Sequence, residues 1–274
     1  MTAMDSKYFV FEDYRVHYFE GGSGLPILML HGVGPGTAIM GNFQPVLEPL
    51  ASRFHIFAMD LIGFGNSDRK KTAPFFDADL WLHQALAMID KMPAGPIGIA
   101  GHSFGGALAM KLASRSDRIT KVMTSSSIGA PYKLNEALDG FWTIPADRAA
   151  LRKSMERMVD SPAFLTDQMI EGRWDLLAQP GYSEFFAEMF APPRQRFIDA
   201  GVLTDEEIAG LKVDLLMLHG RNDQGCPAEQ TTLKVAERIP AADVVLLGRC
   251  GHNLPRERSA AYLDAAFRFF APQS

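Results

Sequence analysis

The sequence predicts an α/β fold: a mostly parallel sheet with helices on both faces and one long helical insertion. Three observations predict it. Short apolar runs of strand length alternate with longer segments of helical spacing. The alternation stops near Ser127 and resumes at Val213. Between one such strand and the next helix stands Gly101-His102-Ser103-Phe104-Gly105, a G-x-S-x-G at a strand-to-helix junction.

The elements follow in order. Tyr8–Phe11 and Arg15–Phe19 read as a hairpin turning at Glu12-Asp13-Tyr14, and Pro26–Leu30 as a buried strand. A helix is expected over Phe43–Leu50, with Pro45 and Pro49 restricting its start. Phe54–Met59 is the next strand. Asp77–Met92 has helical spacing through Leu82, Leu86 and Ile89, with Asp77 or Asp79 placed in the N-terminal turn. The Pro96–Ala100 strand, the Ala107–Ala113 helix and the Ile119–Thr124 strand follow. From about Ser127 to Gly210 no strand signal appears. That stretch is rich in Met and aromatic residues, and six prolines cut it into short helices. Strands at Val213–Leu218 and Val244–Leu247 and a helix at Ser259–Phe270 close the chain. The expected division is a core of 1–126 with 211–274, and a lid of 127–210.

The serine motif needs two partners. A serine hydroxyl is a poor nucleophile at neutral pH, so it requires a base, and the base an orienting acid. At this kind of turn the chain order is Ser, then Asp or Glu, then His. Asp223 and His252 both fall on loops just past strand ends, and His252 is the one histidine after Asp223. The loop Ser125-Ser126-Ser127-Ile128-Gly129 carries no carboxylate, which leaves Asp223 as the acid. Acyl-type chemistry also needs donors aimed at the developing oxyanion. The expected donors are the N–H groups of Phe104, next after the nucleophile, and of Val33. Val33 lies in His31-Gly32-Val33-Gly34-Pro35-Gly36, where glycines let backbone approach a ligand.

Other readings of these residues are weaker. The glycine-rich loop lacks a Walker lysine or G-x-G-x-x-G before a helix, so no phosphate site is expected. His31, His102 and His219 lie at strand ends but form no spaced ligand motif, so neither metal nor cofactor is expected. His31 is assigned to backbone hydrogen bonding and His219 to a neighbouring loop. His17, His55 and His83 are read as surface or core-edge residues. Cys226 and Cys250 make no disulfide framework and are expected to be buried, inert thiols.

Size and charge set outer limits. A chain of 274 residues makes one domain, or one with a large insertion. A net charge of −5 gives no footprint for nucleic acid or an anionic membrane. The N-terminal residues lack an apolar leader, and no run approaches the roughly 20 residues of a membrane helix. The expectation is a soluble cytoplasmic protein acting on a small molecule.

These residues resemble the α/β-hydrolase superfamily over almost the whole chain. More narrowly, they resemble the meta-cleavage-product hydrolases, which cut carbon–carbon bonds in vinylogous 1,5-diketones. The first loop with Asn42, the stretch Asp60-Leu61-Ile62-Gly63-Phe64-Gly65-Asn66-Ser67-Asp68, Glu171-Gly172-Arg173-Trp174 and Phe190-Ala191-Pro192-Pro193-Arg194-Gln195-Arg196 carry the likeness. The resemblance implies a 2-hydroxy-6-oxo-dienoate substrate. Arg173 pairs with its carboxylate or 2-oxo group, Asn42 positions the polar end, and Gly32, Trp174 and His102 complete the binding wall. It also implies a homo-oligomer. Two departures alter the pocket near the reacting carbon: His102 stands where the family commonly has Asn, and Asn253 where it commonly has Trp. Two alternatives stay open. One is a carboxylesterase, lactonase or amidase for a small acyl substrate. The other is a ligand-binding receptor on the same fold.

Overall fold

The computed structural model describes residues 4–272. Met1–Ala3, part of the stretch read as free of an apolar leader, lie outside the described residues. The chain opens with the hairpin β1 (Asp5–Phe11) and β2 (Tyr14–Gly21). Then come β3 (Pro26–Leu30), α1 (Ile39–Ala51), β4 (His55–Met59), α2 (Ala78–Lys91), β5 (Ile97–His102), α3 (Phe104–Ala113) and β6 (Ile119–Ser125). No strand interrupts the next six helices among the described residues: α4 (Glu136–Phe141), α5 (Arg148–Glu156), α6 (Asp167–Leu177), α7 (Tyr182–Met189), α8 (Gln195–Gly201) and α9 (Asp205–Gly210). The chain closes with β7 (Asp214–Gly220), α10 (Thr232–Arg238), β8 (Asp243–Leu247), α11 (Leu254–Glu257) and α12 (Ser259–Phe269).

The eight strands form one sheet in the order β1-β2-β4-β3-β5-β6-β7-β8. β2 runs antiparallel to both its neighbours, and every pairing from β4 onward is parallel. Successive strand residues point to opposite faces, so each central strand feeds two cores. Leu28 and Leu30 of β3 join Trp81 of α2, Leu108 of α3 and the insertion helices. Ile27 and Met29 join Phe43 of α1 and Tyr262 of α12. Burial on both faces is what makes these strands read as continuous apolar runs. No helix among the described residues is long and apolar enough to cross a membrane.

Two expectations need correcting. α1 begins at Ile39 rather than Phe43 and keeps Pro45 and Pro49 inside it. Its first turn is capped from a distance, by Asp60 Oδ1 accepting the Ile39 N–H at 2.7 Å. Pro45 has no N–H for the Gly41 carbonyl four residues back. That oxygen instead accepts from Arg256 Nη1, at 3.4 Å. Apolar packing of Ile39, Phe43, Val46 and Leu50 holds the helix despite its prolines. His17 is not a surface or edge residue but fully buried. Its Nδ1 hydrogen bonds to Asp60 Oδ2 at 2.7 Å, and Ser6 Oγ lies 3.0 Å from its Nε2. Asp60 collects these contacts from chain positions far apart, so no local pattern announces them.

Candidate active site

Ser103, Asp223 and His252 come from the loops after β5, β7 and β8, at one end of the parallel sheet, where ligands bind in open α/β folds. Ser103 sits in a strained turn, with φ 55° and ψ −123°. Its N–H donates to Ser125 O at 2.9 Å, which ties the turn to β6. The turn leaves no room for a larger neighbour: a Cβ on Gly101 would lie 2.3 Å from the Gly105 carbonyl oxygen.

Asp223 is completely satisfied. Its Oδ1 accepts the Gly225 and Cys226 N–H groups at 3.0 and 2.9 Å. Its Oδ2 accepts His252 Nδ1–H at 2.7 Å and lies 3.1 Å from His219 Nε2, whose single N–H is shared with Cys226 O at 2.7 Å. Burial opposes ionisation of Asp223, but the adjacent His252 and His219 outweigh it and hold the carboxyl well below its usual range. Burial likewise disfavours a charged His252, yet the Asp223 carboxylate beside it raises this imidazole well above the usual histidine value. With Nδ1 committed to Asp223, Nε2 is left to serve as the basic atom. Ser103 and His252 face the same cavity.

Sequence reasoning missed three supports. His219, assigned only to a neighbouring loop, is the second histidine on Asp223, and its Nδ1 is fixed by Thr232 Oγ1 at 2.7 Å. Glu257 clamps the loop around His252, accepting from Gly251 N and Asn253 N at 3.0 Å each and from Asp160 N at 2.7 Å. Cys226 brings its sulfur into a set with Asp223 and His252 whose possible ligand atoms lie within 4.8 Å of one another. Cys226 stands three residues after Asp223 and His219 four before it, so their spacing placed both near the triad without giving their roles, while Glu257, which reaches Asp160, had no such signal. Both cysteines are buried and free.

The loop after β3 is held from several sides. His31 Nδ1 donates to Gly32 O at 2.6 Å while its Nε2 accepts the Leu61 N–H at 3.0 Å, which fixes a neutral imidazole. Burial depresses the His31 pKa accordingly. Asn42 Oδ1 accepts the Gly32 N–H at 3.0 Å, and Trp142 Nε1 donates to Val33 O at 3.2 Å. The N–H groups of Val33 and Phe104 find no protein acceptor among the described residues. Two free donors flanking the serine are what an oxyanion site requires.

One cavity gathers Gly32, Val33, Asn42, His102, Ser103, Arg173 and His252. Thr37, Phe141, Met155, Met158 and Asn253 also line it. Phe104 lies beneath, packed on Phe76 and Trp81. Trp174 is not on this wall. It is half-buried on another face of α6, under the Arg148 guanidinium. Arg173 is buried, donating only to Pro35 O and Thr37 Oγ1 at 3.1 Å each. No carboxylate pairs with it among the described residues, and burial lowers its pKa to about 10. His102 lies 5.0 Å from the His252 ring and directs Nδ1 at Ser125. Burial, then the charge of His252, hold it well below the usual histidine value. Asn253 carries a buried Oδ1 without a partner among the described residues. The cavity volume is about 30 Å³.

The model of the alpha/beta hydrolase family matches residues 27–265, nearly the whole chain. The chain belongs to the alpha/beta hydrolase family. This hydrolase is 32 % identical over 258 residues to a 2-hydroxymuconate semialdehyde hydrolase of Pseudomonas sp. strain CF600, covering 94 % of this chain and 90 % of that one. It is 29 % identical to a 2-hydroxy-6-oxo-2,4-heptadienoate hydrolase of Pseudomonas putida strain F1, over 92 % and 91 % of the two chains. Among solved structures, the meta-cleavage product hydrolase CumD of Pseudomonas fluorescens IP01 superposes with a TM-score of 0.90 at 30 % identity, covering 96 % of this chain and 97 % of that one. The 2-hydroxy-6-oxo-6-phenylhexa-2,4-dienoate hydrolase BphD of Rhodococcus sp. strain RHA1 gives 0.89 at 26 % identity, over 98 % and 99 %. These four proteins are named as hydrolases of 2-hydroxymuconate semialdehyde, of 2-hydroxy-6-oxo-dienoates or of a meta-cleavage product.

Proposed function

We propose that this hydrolase cleaves the C5–C6 bond of a 2-hydroxy-6-oxohexa-2,4-dienoate. Water is consumed, and a carboxylic acid and a 2-hydroxypenta-2,4-dienoate are released. The observation that carries this reading is Arg173: a buried guanidinium without a carboxylate partner among the described residues, on the wall of the serine cavity. A buried cation is costly unless something anionic completes it, and the substrate carboxylate does so as a planar bidentate partner.

The remaining roles follow from the geometry. Asn42 spends its oxygen on Gly32 and keeps its amide N–H₂ for the polar end of the substrate. The dienol first ketonises: the C2 hydroxyl proton leaves and a proton is added at C5. Ser103 Oγ then attacks C6, passing its proton to His252, while Val33 and Phe104 N–H hold the oxyanion. Asp223 keeps the imidazole in the required tautomer and stabilises its charged form. The C5–C6 bond breaks, its electron pair moves into a dienolate that takes the proton from His252 and leaves as the 2-hydroxypenta-2,4-dienoate, and an acyl group remains on Ser103. Water, deprotonated by His252, releases the acid and restores the serine.

In this reading residues 127–210 are a lid over a core of 1–126 and 211–274. A cavity of about 30 Å³ holds a water or two, far below the roughly 300 Å³ of a ligand pocket. Admission of a dienoate therefore requires lid movement, which the flexible Met155 and Met158 side chains ease. The same small volume favours one second reading, hydrolysis of a short acyl ester. The reading also makes the protein a cytoplasmic homo-oligomer, checked by light scattering.

Stopped-flow absorbance with 2-hydroxy-6-oxo-6-phenylhexa-2,4-dienoate and its 6-methyl analogue tests the proposal. Rapid loss of the yellow dienolate with release of acid, abolished in Ser103→Ala, is the expected result. No turnover, together with Ser103-dependent cleavage of p-nitrophenyl acetate, selects the ester reading instead.

A further inference from the structure

A second cavity, of about 460 Å³, lies on the far side of Arg173. Neighbouring residues of the loop after β3 and of α1 line the two cavities. Gly36, Ala38 and Gly41 line the outer space, while their neighbours Thr37 and Asn42 line the inner one. Arg173 is the one residue on both walls among the described residues. Arg256, four residues beyond the base His252, adds a second guanidinium to the outer wall.

The charge on that wall is unbalanced. Arg256 donates to three neutral oxygens, Met40 O, Gly41 O and Gln44 Oε1, at 3.2, 3.4 and 3.5 Å. No carboxylate pairs with it among the described residues, and burial lowers its pKa. It lies near enough to Arg173 for its charge to depress that pKa as well. The one acid on the wall, Asp60, spends its oxygens on the N–H groups of Ile39 and Asn66 and on His17. Two guanidiniums without a carboxylate partner among the described residues thus line the outer cavity, and one of them, Arg173, lines the Ser103 cavity as well.

We propose that the outer cavity is an anion vestibule, in which Arg256 receives the carboxylate of the incoming substrate and Arg173 draws it on to the Ser103 cavity. The proposal rests on the reading that the substrate is an anionic dienoate. It assigns Arg256 to capture and steering rather than to bond cleavage. Clefts lined by one sign of charge concentrate oppositely charged ligands and speed association, and salt removes the effect.

The competing explanation is that Arg256 only satisfies the Gly41 carbonyl freed by Pro45. Stopped-flow binding of the coloured phenyl dienoate to Ser103→Ala, with and without Arg256→Gln, separates the two. The association rate constant is expected to fall about fivefold at about 20 mM salt and less than twofold at about 500 mM salt. Arg256→Lys, which keeps the charge, restores most of it. In protein with Ser103 intact, cleavage of neutral p-nitrophenyl acetate by Arg256→Gln stays unchanged. An unchanged association rate at low salt, an equal loss at both salts, or an equal loss for the neutral ester overturns the proposal. If Ser103→Ala binds no dienoate at all, the dienoate reading itself fails. Benzoate, as inhibitor of p-nitrophenyl acetate cleavage, then tests the vestibule alone. Its Ki is expected to rise about fivefold at low salt in Arg256→Gln, and an unchanged Ki overturns the vestibule.

Discussion

Replacing Arg173 by Met separates a ligand-binding charge from a structural one. Burial lowers the guanidinium from its ordinary value to about 10. At about 1.4 kcal/mol per pH unit, holding it charged costs on the order of 3 kcal/mol. The bonds to Pro35 O and Thr37 Oγ1 return roughly 1 kcal/mol each. In the absence of substrate the residue is thus a net cost of order 1 kcal/mol. Arg173→Met, similar in length and apolar, is expected to leave Tm unchanged or raise it by about 2–4 °C. With the substrate carboxylate bound, the balance reverses. Removing one member of a buried charge pair costs about 2–5 kcal/mol. The kcat/KM for the phenyl dienoate is therefore expected to fall by about 100-fold or more, while that for p-nitrophenyl acetate changes less than about threefold. Scanning calorimetry and steady-state kinetics on the two substrates suffice. A fall in Tm of more than about 5 °C with equal losses for both substrates would refute the reasoning and make Arg173 a strut between α6 and the Pro35–Thr37 loop.

Three further outcomes are expected. In the proposed mechanism His252 must be neutral to accept the Ser103 proton, and its folded pKa is raised. The acid limb of kcat/KM should therefore lie above the usual histidine value of 6.5. Stability runs the other way: the protonated His252–Asp223 pair contributes fully below about pH 6.5, and its contribution is lost as pH rises through the raised folded value. Urea midpoints and pH-rate profiles measured together should show opposite slopes in that window, and parallel slopes would contradict the assignment. Gly32→Ala places a Cβ 2.8 Å from Ser103 Cβ and 3.3 Å from its Oγ. Displacing the nucleophile should lower kcat by about 100-fold in a protein that remains folded by circular dichroism; wild-type kcat would show the loop has room to yield. Asn253→Leu removes a buried oxygen that has no partner among the described residues, so stability should hold or rise, by up to about 1–3 kcal/mol, with Tm following it. A clear drop in Tm would mean that Asn253 is satisfied in solution.

The proposed triad was legible because its signals are local. A serine between glycines at a strand end, then an acid and a histidine just past later strands, needs only the parallel sheet to bring them together. Arg173 and Trp174 show where the legibility ends. Both were read as substrate-binding from a four-residue likeness, yet neighbours on a helix point about 100° apart. α6 buries Ile170, Arg173 and Leu177, a stripe at i, i+3 and i+7. Trp174 falls off that stripe and packs under Arg148. The helical period, applied to this segment, would have separated the two. Glu257 and the Asp60 cap on α1 lie beyond any such rule: their partners Asp160 N and Ile39 N are set by the tertiary fold, at separations of 97 and 21 residues.

The buried charges divide by how completely the fold answers them, and that division marks the ends of the site. Asp60 and Asp223 are both buried carboxylates, and each has donors on both oxygens. Such groups are preorganised: protein dipoles already face them, and nothing is left for a ligand. Asp60 holds the start of α1 and the turn at Asn66, while Asp223 holds the base. Arg173 is equally buried, but its acceptors are two neutral oxygens. A net positive charge is thus left facing the Ser103 cavity. A neutral ester would leave that charge unanswered at every step. A dienoate places its carboxylate there and its C6 carbonyl at the serine, so binding energy at one end fixes the reacting carbon at the other. The unanswered charge is therefore the feature that favours an anionic substrate over a neutral one, and the triad, satisfied in itself, is indifferent to the choice.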